Sequence, residues 1–130
     1  DFTFWLCKRT DCVTKLYLDD IREPDDADYV VVRSFDEAMS FVLERGAPEF
    51  ISFDHDLGCS DDGRIYPSGY DLAKWLVESD ISGLIAIPDN FTFAIHSQNP
   101  VGSKNIEMLL SRYMLFRHKG RMAEIKLDTI

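Results

Sequence analysis

Strand-like segments alternate with capped helical segments along most of this chain, and that alternation is the strongest constraint on its fold. Apolar, partly β-branched runs occupy residues 14–20, 28–34, 48–54 and 90–97. Helical segments begin after Ser34, Ser68 and Asn99. Because strands that alternate with helices usually form parallel sheets, the sequence predicts an open, mostly parallel α/β fold with flanking helices.

The helical segments carry recognisable start and stop signals. Ser34 with Glu37, and Ser68 with Asp71, have the spacing of capping boxes, and Gly46 is expected to end its helix in a left-handed conformation. The third helix is expected to start with Asn99 as its cap and Pro100 in its first turn. Apolar residues recur at helical spacing and predict the buried faces, at Ala38, Phe41, Val42, Leu72, Trp75, Leu76, Ile106, Leu109, Leu110 and Tyr113.

Length and composition predict one domain over residues 1–130. The chain is 45% hydrophobic, which is enough for one core. Residues 2–7 could form an extra N-terminal strand, and residues 121–127 could be a closing strand or an irregular end. The basic C-terminal tail, residues 114–130, is interpreted as a solvated end, with a nucleic-acid contact as the weaker alternative.

Composition also bounds location and partners. No apolar run approaches the roughly 18 residues of a membrane span, and no signal peptide is visible. Cys7, Cys12 and Cys59 lack metal-site spacing, so reduced thiols in a cytoplasmic protein are expected. A net charge of −9 argues against general DNA or RNA binding and suits a site that collects cations.

Polar side chains follow three of the predicted strands at the points where they end. Asp19 and Asp20 follow the first, Asp54, His55 and Asp56 the third, and His96 and Ser97 the fourth. In an open parallel sheet, ligands bind outside the carboxyl ends of the strands, so these groups are expected to meet in one crevice. The alternative is that the carboxylates start turns and that the histidines pack or cap.

The acidic residues favour a hard divalent cation. Three carboxylates, those of Asp19, Asp20 and Asp54, cannot lie together ionised without a cation, and Mg²⁺ or Mn²⁺ accepts such oxygen ligands. Zinc is the weaker alternative, because His55 and His96 would both have to point inward beside a carboxylate.

The order of the motifs "KLYLDD", "FDHDLG", "SGYDLAKWL" and "FAIHS" resembles the receiver domain of response regulators over residues 15–113. By that resemblance Asp19 and Asp20 match the acidic pair, Asp54 matches the phospho-acceptor, and Asp56 supplies a backbone carbonyl to Mg²⁺. The chain departs from the receiver pattern because about nine residues replace the first helix. His96 stands where a Thr or Ser is usual, and the receiver's lysine and last helix have no clear counterpart.

The set "LDDIR", "DHDLG" and "HSQN" resembles the divergent receiver-like family that is proposed to process cyclic phosphates. This resemblance implies a hydrolase that opens a small cyclic nucleotide or a cyclic RNA 3′ end, as in RNA repair.

The residues fit that chemistry independently. His96 and His55 can act as general acid and base, although strand alternation argues against His55, which directly follows Asp54. Asp54 is either the nucleophile or only a metal ligand, and Ser97 is a further catalytic candidate. The expected phosphate-binding groups are Arg22, Lys104 and the helix start at Asn99, whereas Arg64 is interpreted as a solvated surface residue.

The sequence is also compatible with two other functions. One is a phospho-receiver that signals by docking a partner, and the other is a non-catalytic module that binds a nucleotide or a protein. The missing lysine and the added histidines favour the enzyme over the receiver. The protein partner, the oligomeric state, the substrate base and the regiochemistry of ring opening are not specified by the sequence.

Overall fold

The computed structural model describes the backbone of residues 14–129 and the side chains of residues 14–120. The predicted strand at 2–7 and the predicted state of Cys7 and Cys12 lie outside the described residues. Cys59 is a free and exposed thiol. Within the described part of the chain, no helix combines the length and the apolar character that a membrane crossing requires.

Four short strands form one parallel sheet, in the order β2-β1-β3-β4. Their bounds are β1 Lys15–Leu18, β2 Tyr29–Val32, β3 Phe50–Phe53 and β4 Thr92–Ile95. This is the flavodoxin-like strand order up to the fourth strand, so the predicted receiver-like α/β fold is confirmed. Because the order reverses between β1 and β3, a ligand crevice is expected at the carboxyl ends of those two strands.

Three helices follow the strands, and their bounds are α1 Phe35–Arg45, α2 Gly69–Ser82 and α3 Pro100–Thr129. The predicted capping box of α2 is complete, since Ser68 Oγ accepts from Asp71 N–H and the Asp71 carboxylate accepts from Ser68 N–H. At α1 only half of the predicted box is present. Ser34 Oγ accepts from Glu37 N–H, but the Glu37 carboxylate accepts from Arg33 N–H instead of from Ser34 N–H.

The remaining helix ends follow the sequence signals with one exception. Asn99 caps α3 as predicted, because its Oδ1 accepts from Gly102 N–H at 2.9 Å. Gly46 ends α1 with φ 92° and ψ 164°, so the predicted left-handed conformation is wrong; its N–H still bonds to Val42 O at 2.8 Å. Residues 19–28 join β1 to β2 without a helix, as predicted.

The hydrophobic core lies between one face of the sheet and all three helices. The strand register places Leu18 between Val32 and Phe53, and Leu16 and Ile51 lie on the same face one step earlier. Helix side chains complete this cluster, among them Ala38, Val42, Leu72, Leu76, Ile106 and Leu110. Burial of these apolar groups is the main stabilising contribution of the fold.

The C-terminal region is helical rather than strand-like or irregular. Helix α3 continues to Thr129, so the prediction for residues 121–127 is wrong. The segment is rich in good helix formers such as Met, Ala, Glu and Lys, which explains the difference. Arg117 bonds to Asp80 at 3.4 Å and to Asp89 at 2.9 Å, and only 19% of its side chain is exposed. The Tyr113 hydroxyl also donates to Asp80, and burial with that contact raises the pKa of Tyr113 to about 12.

Gly69 is expected to be essential for the fold, because a Cβ there would lie 1.9 Å from the carbonyl oxygen of Asp54. We expect Gly69→Ala to lower the free energy of unfolding by about 2 kcal/mol or more, measured by urea denaturation. Gly120→Ala is the control, since a Cβ at Gly120 meets nothing within 4 Å. That variant should gain about 0.5–1 kcal/mol from helix propensity. Equal stability of the two variants would contradict this packing.

Candidate metal centre

A crevice of about 550 Å³ opens at the carboxyl ends of β1, β3 and β4. Polar groups from three connections line it, together with the first residue of α3. The lining residues are Asp19, Asp20, Ile21, Arg22, Asp54, Asp56, Ser97, Gln98, Asn99 and Pro100. The crevice therefore lies where the reversal of strand order places a ligand site.

Asp19, Asp54 and His96 come together because each is the first residue after its strand. The last residues of β1, β3 and β4 are register partners, so the three following residues stand side by side. The sheet hydrogen bonds continue through them, with Asp54 N–H bonded to Leu18 O and His96 N–H bonded to Phe53 O. One ligand atom from each of the three side chains lies within 4.8 Å of the other two.

Asp19 is buried but well supplied with hydrogen bonds. Its side chain is 1% exposed, and its Oδ1 accepts from Ile21 N–H and Arg22 N–H, both at 2.9 Å. Oδ2 lies 3.0 Å from His96 Nε2. Burial opposes ionisation of Asp19, but the backbone N–H groups and His96 outweigh it and hold the pKa of Asp19 below its usual range.

Asp54 experiences the opposite balance. Burial and then the neighbouring charge of Asp19 raise its pKa, and the hydrogen bond from His55 N–H at 2.8 Å offsets them only in part. The environment thus separates the pKa values of two adjacent carboxylates, a pattern typical of groups with different chemical tasks.

The His96 ring lies back along the sheet rather than in the crevice. It stacks on Tyr17, with ring centroids 4.4 Å apart and planes within 4°. Its Nδ1 is 2.8 Å from Ser52 Oγ. Because an ionised carboxylate can only accept, Nε2 carries a hydrogen toward Asp19. His96 is therefore connected to the crevice by its hydrogen bond to Asp19.

His55 lies apart from this cluster, in agreement with strand alternation. Its ring packs against the first turn of α3, where a Cβ on Gly102 would come within 2.4 Å of the ring. Nδ1 is 2.9 Å from Asp56 Oδ1 and 3.4 Å from Asn99 Nδ2. His55 therefore borders the crevice through Asp56 and Asn99, both of which line it.

The other predicted site residues are divided between the crevice and the surface. Asp20, Asp56, Ser97, Arg22 and Asn99 all line the crevice. The Arg22 guanidinium donates to the carbonyl of His96 at 3.0 Å, and Asn99 N–H bonds to Ser97 Oγ at 3.0 Å. Lys104 is exposed on α3 and is not among the described residues that line the crevice.

Two residues of this site were not identified from the sequence. Ser52 is 5% exposed and holds the His96 ring, and Tyr17 supports the same ring from below. Ser52 had a detectable signal, since it is a hydroxyl in the middle of an otherwise apolar strand. Tyr17 had none, because an aromatic residue in a strand is ordinary.

The parallel strand order and the acidic cluster beyond β1 and β3 define a receiver-like domain. The family model of the cyclic-phosphate processing receiver domain matches residues 14–112, so the chain belongs to that family. The match includes all four strands, α1, α2 and the first part of α3, which together hold the crevice. No curated protein and no solved structure matches the chain.

The cluster of Asp19, Asp54 and His96 could hold a metal ion. Its two buried carboxylates are available as ligands, whereas both ring nitrogens of His96 are hydrogen-bonded, to Asp19 and Ser52. The raised pKa of Asp54 indicates a charge that a bound cation would stabilise. The hydrogen bond between His96 and Asp19 is also the arrangement that orients a carboxylate ligand.

The two carboxylates should respond differently to neutralisation in the absence of metal. Ionised Asp54 opposes folding above its unfolded pKa, because its folded pKa is raised. Asp54→Asn should therefore raise the free energy of unfolding at pH 7. Asp19 has a lowered folded pKa and stabilises the fold above its unfolded pKa, so Asp19→Asn should cost about 1 kcal/mol. Urea denaturation in EDTA measures both, and destabilisation by both substitutions would contradict this assignment.

Proposed function

We propose that this protein is a metal-dependent phosphoesterase that opens a cyclic phosphate, either in a small cyclic nucleotide or at the 3′ end of an RNA. The observation that carries the proposal is the pair of buried carboxylates, Asp19 and Asp54, whose pKa values are shifted in opposite directions beside an open crevice. Membership of the cyclic-phosphate processing receiver family supports the class of substrate.

The residues that would hold the cation are Asp19 and Asp54, with the backbone carbonyl of Asp56 as a further oxygen. Oxygen ligands of this kind favour Mg²⁺ or Mn²⁺, and Asp20 lines the same crevice. A divalent cation bound there would neutralise charge on the phosphate oxygens. His96 keeps Asp19 ionised and oriented, so its role is that of a positioning residue.

The far side of the crevice suits an anion. The amino end of α3 borders it at Asn99 and Pro100, and the N-terminus of a helix carries partial positive charge. The Arg22 side chain is 45% exposed and stands beside Asp19, where it can contact a phosphate oxygen. Phosphate bound between these groups would face Asp54.

Ring opening requires one proton to leave the attacking water and one to reach the departing oxygen. Asp54 faces the crevice with a raised pKa, which suits a base or a direct nucleophile. Ser97 also lines the crevice, and its oxygen already accepts from Asn99 N–H, which leaves its hydroxyl hydrogen available to donate. The stereochemical course at phosphorus distinguishes the two roles of Asp54. With a 2′,3′-cyclic phosphorothioate in ¹⁸O-water, one direct attack by water inverts the phosphorus centre, whereas attack by Asp54 followed by hydrolysis of the aspartyl ester retains its configuration.

Metal binding should be measurable as a gain in thermal stability. A ligand bound only by the folded state at about 100 times its Kd stabilises that state by about 2.7 kcal/mol. We expect Mg²⁺ or Mn²⁺ to raise the Tm of the wild type and not that of Asp19→Asn/Asp54→Asn. Asp61→Asn is the matched control, since Asp61 is exposed and lies outside the crevice. An equal metal response in all three proteins would exclude this site.

Turnover of a 2′,3′-cyclic nucleotide, followed by ³¹P NMR with Mg²⁺ present, tests the activity. Asp54→Asn and His96→Ala should each lower the rate by at least roughly 10²-fold, a barrier increase of about 2.7 kcal/mol. His96→Ala should also raise the Mg²⁺ concentration needed for half-maximal activity, because Asp19 loses its partner. His118→Ala should stay within twofold of wild type, since His118 is exposed on α3.

Two experimental outcomes would favour a different function over the phosphoesterase. A stable phosphoprotein formed from acetyl phosphate and lost in Asp54→Asn would favour a phospho-receiver. Failure of the wild type to turn over any cyclic nucleotide or cyclic-ended RNA would favour a binding module for a nucleotide or a protein.

A further inference from the structure

The connection between β3 and α2 is a built hairpin rather than an irregular loop. Cys59 and Ile65 form an antiparallel bridge, and Ser60 N–H bonds to Arg64 O at 2.8 Å. At the base of the hairpin, Tyr66 N–H bonds to the carbonyl of Gly58 at 3.1 Å. Main-chain hydrogen bonds therefore fix the backbone of this segment.

The hairpin adjoins the acidic crevice at Gly58. This residue has a φ of +89°, and a Cβ there would lie 3.2 Å from Asp20 Oδ2 and 3.9 Å from Cδ2 of Tyr66. The carboxylate of Asp20 and the ring of Tyr66 are thus both close to the same position beside Gly58. The ring therefore lies next to the Asp20 side of the crevice, although Tyr66 is not itself a lining residue of that crevice.

The hairpin exposes apolar surface next to the crevice. Tyr66 is 47% exposed and Ile65 is 86% exposed, although both belong to the hydrogen-bonded hairpin. Both residues line a second cavity of about 710 Å³, together with other hairpin residues that include Arg64 and Pro67. Single exposed apolar residues are ordinary, but an adjacent pair beside a polar crevice is the arrangement expected where a ligand has both polar and apolar parts.

We propose that Tyr66, with Ile65 beside it, binds the nucleobase of the substrate, so that the substrate class is a nucleoside or a terminal nucleotide carrying a cyclic phosphate. This inference rests on the proposed function, because the crevice must take the phosphate. The base lies one sugar away from a 2′,3′-cyclic phosphate, and the aromatic ring is the flat apolar surface next to the crevice. Stacking on an aromatic ring tolerates every base, so we expect little discrimination among bases.

The test compares 2′,3′-cyclic AMP with glycerol 1,2-cyclic phosphate, which has no base. Stacking of one base corresponds to roughly 1–3 kcal/mol, or about 5- to 150-fold at 1.4 kcal/mol per factor of ten. Tyr66→Ala should lower kcat/KM for 2′,3′-cyclic AMP by about 5- to 150-fold, and this change should appear in KM. The same substitution should leave kcat/KM for the base-free substrate unchanged. Tyr66→Phe should stay within about twofold of wild type, because it keeps the ring.

Phe116→Ala is the matched control for loss of an exposed aromatic side chain, since Phe116 is 73% exposed on α3. This substitution should change kcat/KM for neither substrate. An equal loss on both substrates in Tyr66→Ala, or no loss on either, would overturn the proposal.

Binding distinguishes this inference from the proposed function. Calorimetric titration with 2′,3′-cyclic AMP (called cyclic AMP below) and Mg²⁺ measures the affinity to which the base contact contributes, even without turnover. If the wild type has no activity but binds cyclic AMP, and Tyr66→Ala weakens that binding while Phe116→Ala does not, the proposed function fails and the base site stands. If binding of cyclic AMP does not depend on Tyr66, or if cyclic AMP does not bind, the base site is wrong.

Discussion

The buried carboxylate of Asp19 is the group on which the rest of the site depends. A charge at 1% exposure is costly unless hydrogen bonds compensate it, and here they come from Ile21, Arg22 and His96. The first two belong to a turn that stands where a receiver begins its first helix. Arg33 donates to the carbonyl of Asp19 at 3.2 Å, so the end of β2 is tied to the same turn. The turn that joins β1 to β2 therefore also supports the buried carboxylate.

The neighbouring carboxylate is not supported to the same extent. Asp54 accepts one short backbone hydrogen bond and faces the charge of Asp19, so its ionised form destabilises the metal-free protein. Natural proteins tolerate such local costs mainly where function needs them. A cation between the two carboxylates would convert their repulsion into attraction, so an affinity for metal and a cost in stability without metal would have the same geometric origin.

Strand alternation and register made much of the fold and the acidic cluster predictable. Asp19, Asp54 and His96 each follow a strand directly, and parallel strands in register must bring such residues together. The same alternation indicated that His55 faces away. The position of the His96 ring was not predictable, because a choice of side-chain rotamer directs it toward Ser52 and not into the crevice. The length of α3 was also missed, since helix propensity at the C-terminus competes there with a strand-like apolar pattern.

The imidazole of His96 also covers part of the second face of the sheet. Tyr17, Tyr29 and Phe50 form a row of rings on that face, with centroids 5.5 and 6.1 Å apart. Among the described residues, the core cluster that includes the buried side chains of all three helices does not contain these rings. His96 lies flat on Tyr17, the ring of this row closest to the crevice. A threonine or serine has no ring to do this, so the exchange of a hydroxyl for an imidazole couples the acidic cluster to the aromatic face. Removing the His96 ring would both expose Tyr17 and remove a hydrogen-bond partner of Asp19. A loss of stability in such a variant is therefore compatible with a role of His96 in metal binding. Measuring the metal affinity separates the packing effect from the effect on Asp19.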